Sequence, residues 1–241
     1  IAEDGMAGFY NETVAAAIVE SIAEEPLPGA MTVEDIISYE VKVREPLCAD
    51  WRDMTICSAP PPSSGGIVQN MIPALYDRLV PADASDEEQL KAFVDAQRLT
   101  YADRDHYVAD ADFVEVPSED LINPTYLDAR AAEVFEPGEA PKAGDPGEVL
   151  RGEPMIDMWG RDTTDEAAGT THFSVIDLEG NSVSMTATIE SAFGNSRMVN
   201  GFLLNNELTD FARDPRIEGK LVANAPAGGK RPRSSMSPTI I

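Results

Sequence analysis

A chain of 241 residues with 43% hydrophobic content is long enough to bury a sizeable core in one large domain or two small ones, and it holds no run of about 18 apolar residues to span a bilayer. A formal net charge of −25, from 43 acidic against 18 basic residues, repels phosphate backbones and argues against nucleic acid or an anionic membrane as partner. Two histidines, His106 and His172, are too few for zinc clusters and leave a Ser-His-Asp triad two possible bases.

The opening "IAEDGMAGFYNETVAAAIVESIAEE" lacks the basic start and unbroken apolar stretch of a signal peptide. Asn11 can cap a helix running to about Glu25, and Thr32 with Asp35 resembles a capping box for a short helix. "YEVKVREPLCADWRDMTICSAP" (39–60) reads as two β-rich runs around a polar turn. A two-residue loop at Arg52-Asp53 sets Cys48 opposite Cys57 in a non-hydrogen-bonded pair, where side chains approach most closely; a cross-strand disulfide is one outcome, two half-buried thiols the other. "PPPSSGG" (60–66) is punctuation, and apolar residues at helical spacing predict helices over 67–79 and 85–108. The acidic clusters "DASDEE" (82–87) and "DRDHYVADADF" (103–113) lack the mid-loop glycine and terminal glutamate of an EF-hand. No metal site is expected, and an acid-coated surface accounts for the charge. Short helical patterns run from Ser118 to about Val134. From about 136, "EPGEAPKAGDPGEVLRGEP" loses all periodicity and reads as a surface linker, continuing poorly structured to Gly169.

"GTTHFSVIDLEGNSVSMTATIES" (169–191) is a β-hairpin. A three-residue loop Leu178-Glu179-Gly180, with Gly180 in the left-handed conformation of a G1 bulge, makes Thr170 face Thr188, His172 face Thr186 and Ser174 face Ser184. Thr171, Phe173 and Val175 then join Val183, Met185 and Ala187 on the other face; a one-residue slip would put Phe173 and Val175 among the hydroxyls. Thr170 is thereby the threonine that looks into a polar cavity. A hydroxyl at a strand start, behind glycine, suits an N-terminal nucleophile made by cutting the Gly169–Thr170 bond, because the freed α-amine can act as general base without a histidine. The same pattern also fits an ordinary pair of hydroxyls at a sheet edge.

"TTHFSV", "SAFG", "LLNNELTDF" (203–211), "KRPRSSMSPTI" (230–240) and the upstream "PPPSSGG" together resemble the gamma-glutamyltranspeptidase family of N-terminal nucleophile hydrolases, in order along nearly the whole chain. The resemblance implies an α+β fold, the αββα sandwich of that class, only partly covered by this chain. It implies that residues 1–169 are the later part of a large subunit and 170–241 the first part of a small subunit, both cut from one precursor by autocatalysis. The family's carboxylate-binding arginine would lie before Ile1 and its oxyanion-hole glycine pair after Ile241. Thr170 matches the nucleophile and Thr188 the hydroxyl that orients it. Glu207 and Asp210 match residues that bind the donor's α-ammonium, and Glu190 stands where some relatives have asparagine. Ser234 and Ser235 match hydroxyls that hold the donor's α-carboxylate. Residues 212–229 match a lid region, shorter here and without tyrosine, which implies an open cleft. The implied activity is γ-glutamyl transfer or hydrolysis of glutathione and related donors through a threonyl ester, with water or amino acids as acceptors, no cofactor, and a periplasmic or secreted location. The alternatives are a cephalosporin (glutaryl) acylase, a poly-γ-glutamate-processing enzyme, or a non-catalytic amino-acid-binding domain with Thr170 uncleaved. The hairpin is expected to be covered on its apolar face and open on its hydroxyl face.

Overall fold

A computed structural model describes residues 1–133, 138–164 and 169–241. In chain order its main elements are helices α1 (Glu12–Ile22) and α2 (Val33–Ile37), strands β1 (Leu47–Trp51) and β2 (Met54–Ser58), and helices α3 (Gly65–Leu79), α4 (Asp86–Tyr107), α5 (Ser118–Leu121), α6 (Pro124–Ala131) and α7 (Pro146–Arg151). Strands β3 (Thr170–Ile176), β4 (Ser182–Thr188), β5 (Met198–Val199), β6 (Phe202–Leu203), β7 (Arg216–Ile217), β8 (Lys220–Leu221) and β9 (Thr239–Ile240) follow. Among the described residues no helix is long and apolar enough to cross a membrane.

The chain divides into two compact units, and each takes residues from both sides of the Gly169–Thr170 bond. The smaller comprises Ile1–Val43, the described part of Ala167–Thr171, and Ala187–Glu207. Asn11 caps α1 by accepting from the Val14 N–H at 3.0 Å, and α2 carries the expected box of Thr32 and Asp35. Ala15 and Ile18 of α1 pack with Ile36, Val199 and Leu204 into a small apolar core. Arg197 lies beyond the α1 C-terminus and donates to the Glu24 and Leu27 carbonyls, the basic partner that a helix end favours.

The larger unit comprises Arg44–Glu166, His172–Thr186 and Leu208–Ile241. Its core joins Ile67, Met71 and Leu75 of α3 to Ala96, Leu99 and Tyr107 of α4, with Leu121, Tyr126, Leu127 and Met155. Cys48 and Cys57 pair across the antiparallel β1–β2 register with Cα atoms 4.1 Å apart, and their sulfurs are bonded. The acidic cluster at 103–113 is partly internal: Asp103 is fully buried against Arg130, Tyr126 Oη and the Gly144 N–H, while Asp110 and Asp112 take Arg44. Burial pushes the Asp103 carboxyl up, against the opposing pull of Arg130.

The stretch read as a linker is ordered from 138 to 164, and most of it packs. Asp145 caps α7, Pro146 takes its first position, and Gly152 ends it at φ 70°. Asp145 also accepts from the Met155 and Ile156 N–H groups and turns both residues onto the core. The proline and glycine counted as breakers stand where helices start and stop. Residues 136, 137 and 165–168 of that expected linker lie outside the described residues.

Candidate active site

The hairpin closes as its sequence requires. The Asp177 N–H donates to the Asn181 carbonyl, Gly180 takes φ 88°, and the Asp177 carboxylate accepts from the Asn181 N–H at 2.8 Å. His172 Nδ1 meets Thr186 Oγ1 at 2.7 Å on the hydroxyl face, the partner given by the three-residue loop. Within this span, about two fifths of the curated relatives' length, the apolar face of the hairpin has no cover from the described residues. Phe173, Val175, Val183 and Met185 are each about half exposed, whereas Ser184, Thr186 and Thr188 are half-buried. Ser184 Oγ accepts from the Thr239 N–H at 3.0 Å, so the polar face meets β9 at Ser184, while His172, Ser174 and Ser182 of that face are exposed within this chain.

Thr170 is exposed at the start of β3. The Thr188 hydroxyl donates to the Gly169 carbonyl at 2.6 Å and accepts from the Glu190 N–H at 2.8 Å. That second bond occupies a lone pair of Thr188 and directs its proton at the carbonyl immediately before Thr170. A Cβ on Gly169 would come within 2.1 Å of the Glu190 carbonyl, so only glycine fits before Thr170. Glu190 sits at φ 69°, buried, with its carboxylate held by Ser191 Oγ at 2.6 Å and by Asn206. Thr188, expected to orient the nucleophile, contacts the carbonyl of the Gly169–Thr170 bond.

Glu207 and Asp210 bound one 3-10 turn, opened by Asn205 Oδ1 accepting from the Glu207 N–H at 3.0 Å. In the larger unit, the Asp210 carbonyl accepts from Asn224 Nδ2 at 2.7 Å. A cavity of about 590 Å³ borders this segment, lined by Phe211, Ala212, Arg213 and Lys230 among others. Lys230 Nζ donates to the Ala223 and Ala225 carbonyls, and burial pushes its ammonium down. The expected lid segment holds the β7–β8 hairpin, turning at Glu218 and Gly219, both at positive φ.

Ser234 and Ser235 lie on a cradle made by the proline-serine-glycine motif. Ser64 N–H donates to the Ser234 carbonyl at 2.8 Å, and the Ser234 N–H to the Pro62 carbonyl at 3.0 Å. Gly65 opens α3, where a Cβ would meet the Met236 carbonyl at 2.9 Å; its glycine is required by this close approach. Arg104 of α4, nearly fully buried, donates to Ser235 Oγ at 2.7 Å. Arg104, Asn224, and the buried Arg233–Asp162 pair at 3.1 Å escaped the sequence reading. Only the position of Arg233 inside "RPRSSMSP" hinted at it.

The family model described as gamma-glutamyltranspeptidase matches residues 1–241. The glutathione hydrolase proenzyme of Bacillus subtilis subsp. natto is 36% identical over 247 residues, covering all of this chain and 41% of that protein. The glutathione hydrolase proenzyme of Escherichia coli K12 is 35% identical over 253 residues, with the same coverages. The cephalosporin acylase structure from Bacillus halodurans superposes with a TM-score of 0.78 at 22% identity, over 99% of this chain and 39% of that one. That likeness shows the fold, a mixed α+β architecture shared with that acylase. The chain spans about two fifths of the length of these curated relatives.

Proposed function

Since this chain belongs to the gamma-glutamyltranspeptidase family, we propose that it is the central part of a self-cleaving γ-glutamyl hydrolase or transferase acting on glutathione and related donors. Thr170 Oγ attacks the Gly169 carbonyl, the peptide nitrogen leaves as the α-amine of Thr170, and water hydrolyses the resulting ester. The exposed α-amine then takes the proton of Thr170 Oγ as the hydroxyl attacks the γ-carbonyl of a donor. The donor's amine leaves with a proton, and water or an amino-acid amine resolves the γ-glutamyl ester. Glu207 and Asp210 bind the donor's ammonium; Ser234 and Ser235 bind its α-carboxylate, the latter polarised by Arg104. Glu190 shapes the bend after β4 and lends negative charge to the same end of the donor.

The observation that carries this reading is the Thr188 hydroxyl bonded to the carbonyl that Thr170 would attack. The Cys48–Cys57 disulfide supports an oxidising compartment, hence a periplasmic or secreted protein. In the full-length precursor, Thr170→Ala is expected to stay one inactive chain, while the wild-type protein yields a smaller piece beginning Thr-Thr-His-Phe and releases aniline from a γ-glutamyl anilide. Normal processing of Thr170→Ala, or a piece beginning elsewhere, would refute it. One stable wild-type chain that binds amino acids without turnover would support the binding domain instead. Preference for a glutaryl over a γ-glutamyl anilide would support the acylase.

A further inference from the structure

Asn224 is almost fully buried and makes contacts in three directions within the larger unit. Its Nδ2 donates to the Asp210 carbonyl at 2.7 Å, and its Oδ1 accepts from the Arg233 N–H at 2.9 Å, one residue before Ser234. Its backbone carbonyl accepts from the Ala212 N–H at 3.0 Å. Asp162 Oδ2 lies 3.4 Å from Nδ2 and takes Arg233 at 3.1 Å, which fixes the carboxamide's orientation, nitrogen toward acceptors and oxygen toward a donor. One side chain therefore joins the backbone that carries Asp210 to the backbone that carries Ser234 and Ser235.

We propose that Asn224 is a positioning residue for donor specificity: it sets the spacing between the group that reads the ammonium and the groups that read the carboxylate of one α-amino acid. The proposal rests on the functional reading above. An α-ammonium and an α-carboxylate share one carbon, so two-point recognition works only if both binding segments keep a fixed separation. These segments lie more than twenty residues apart in sequence, and Asn224 bonds to both. Loss of the carboxamide removes one bond to the part-buried Asp210 carbonyl and one from the buried Arg233 N–H, and loosens the tie between the two segments. A donor that presents only the carboxylate is indifferent to that drift.

The test uses full-length processed protein and two anilides, γ-glutamyl and glutaryl, the latter lacking the ammonium. Asn224→Ala is expected to raise KM for the γ-glutamyl anilide roughly tenfold with kcat within about threefold, and to leave kcat/KM for the glutaryl anilide within about threefold. Equal losses on both donors, or an unchanged KM for the γ-glutamyl donor, overturn the proposal; a merely structural role gives the first of these. If Asn224→Ala does not fold, Asn224→Ser, which leaves room for a bridging water, is read by the same criteria. Wild-type protein inert toward the γ-glutamyl anilide overturns the functional reading itself, and this proposal with it.

Discussion

Thr188→Val replaces the hydroxyl that meets the Gly169 carbonyl with a methyl group of nearly the same shape. In the resting chain the lost bond is a neutral O–H···O contact of 2.6 Å, worth about 1 kcal/mol. Under the proposed cleavage its weight rises. As Thr170 Oγ adds to the carbonyl, the Gly169 oxygen becomes an anion, and the Thr188 proton is already aimed at it by the Glu190 N–H on the other side. Removing one such donor costs roughly 2.7–4 kcal/mol, or about 10²–10³ in rate. Purified full-length precursor should therefore convert to two pieces some hundreds of times more slowly when Thr188 is valine, by gel densitometry over hours to days, with the melting temperature little changed. Thr188→Ser keeps the donor and should recover most of the rate. Wild-type cleavage by Thr188→Val, or equal slowing by valine and serine, would refute the reasoning.

Arg130→Met should lower the unfolding free energy by about 3–5 kcal/mol in urea denaturation, because it leaves the buried Asp103 carboxylate with only Tyr126 and the Gly144 N–H; a loss below about 1 kcal/mol would mean that the pair is dispensable. His106 donates from Nε2 to the Ile156 carbonyl in the fold, and burial pushes its pKa below the usual value. The folded state thus prefers the neutral ring, so stability is full above the unfolded pKa near 6.5 and falls as pH drops below it. Urea midpoints at pH 7.5 and 5.5 should differ less for His106→Gln than for the wild-type protein, and identical differences would exclude His106 as the source.

Local rules with a strict geometry were legible in the sequence. The Asn11 cap, the Thr32–Asp35 box and the two hairpin registers each depend on neighbours a few residues apart, and each stands as expected. The Thr170 assignment used the same arithmetic plus a family resemblance. Features set by distant chain were not legible. Asp103 resembles any surface acid until Arg130 folds over it, and Arg104 is one more charge on a charged helix until it meets Ser235. Helix α7 is a different kind of miss: Asp145, Pro146 and Gly152 are sound start and stop signals, overlooked because six residues are too few for an apolar period to emerge. In the hairpin, alternation identifies two faces without saying which neighbour covers each.

The sheet formed by β1, β2 and β9 joins strands from opposite sides of the Gly169–Thr170 bond, and Ser58 Oγ donates across it to the Pro238 carbonyl. Before the bond breaks, that pairing closes a loop within one molecule. After the proposed cleavage the same contacts would hold two molecules together, and the molecularity of unfolding would change from one to two. Such a cut would therefore turn a stability that is independent of protein concentration into one that falls on dilution, and would make refolding wait on an encounter between pieces that were once guaranteed neighbours.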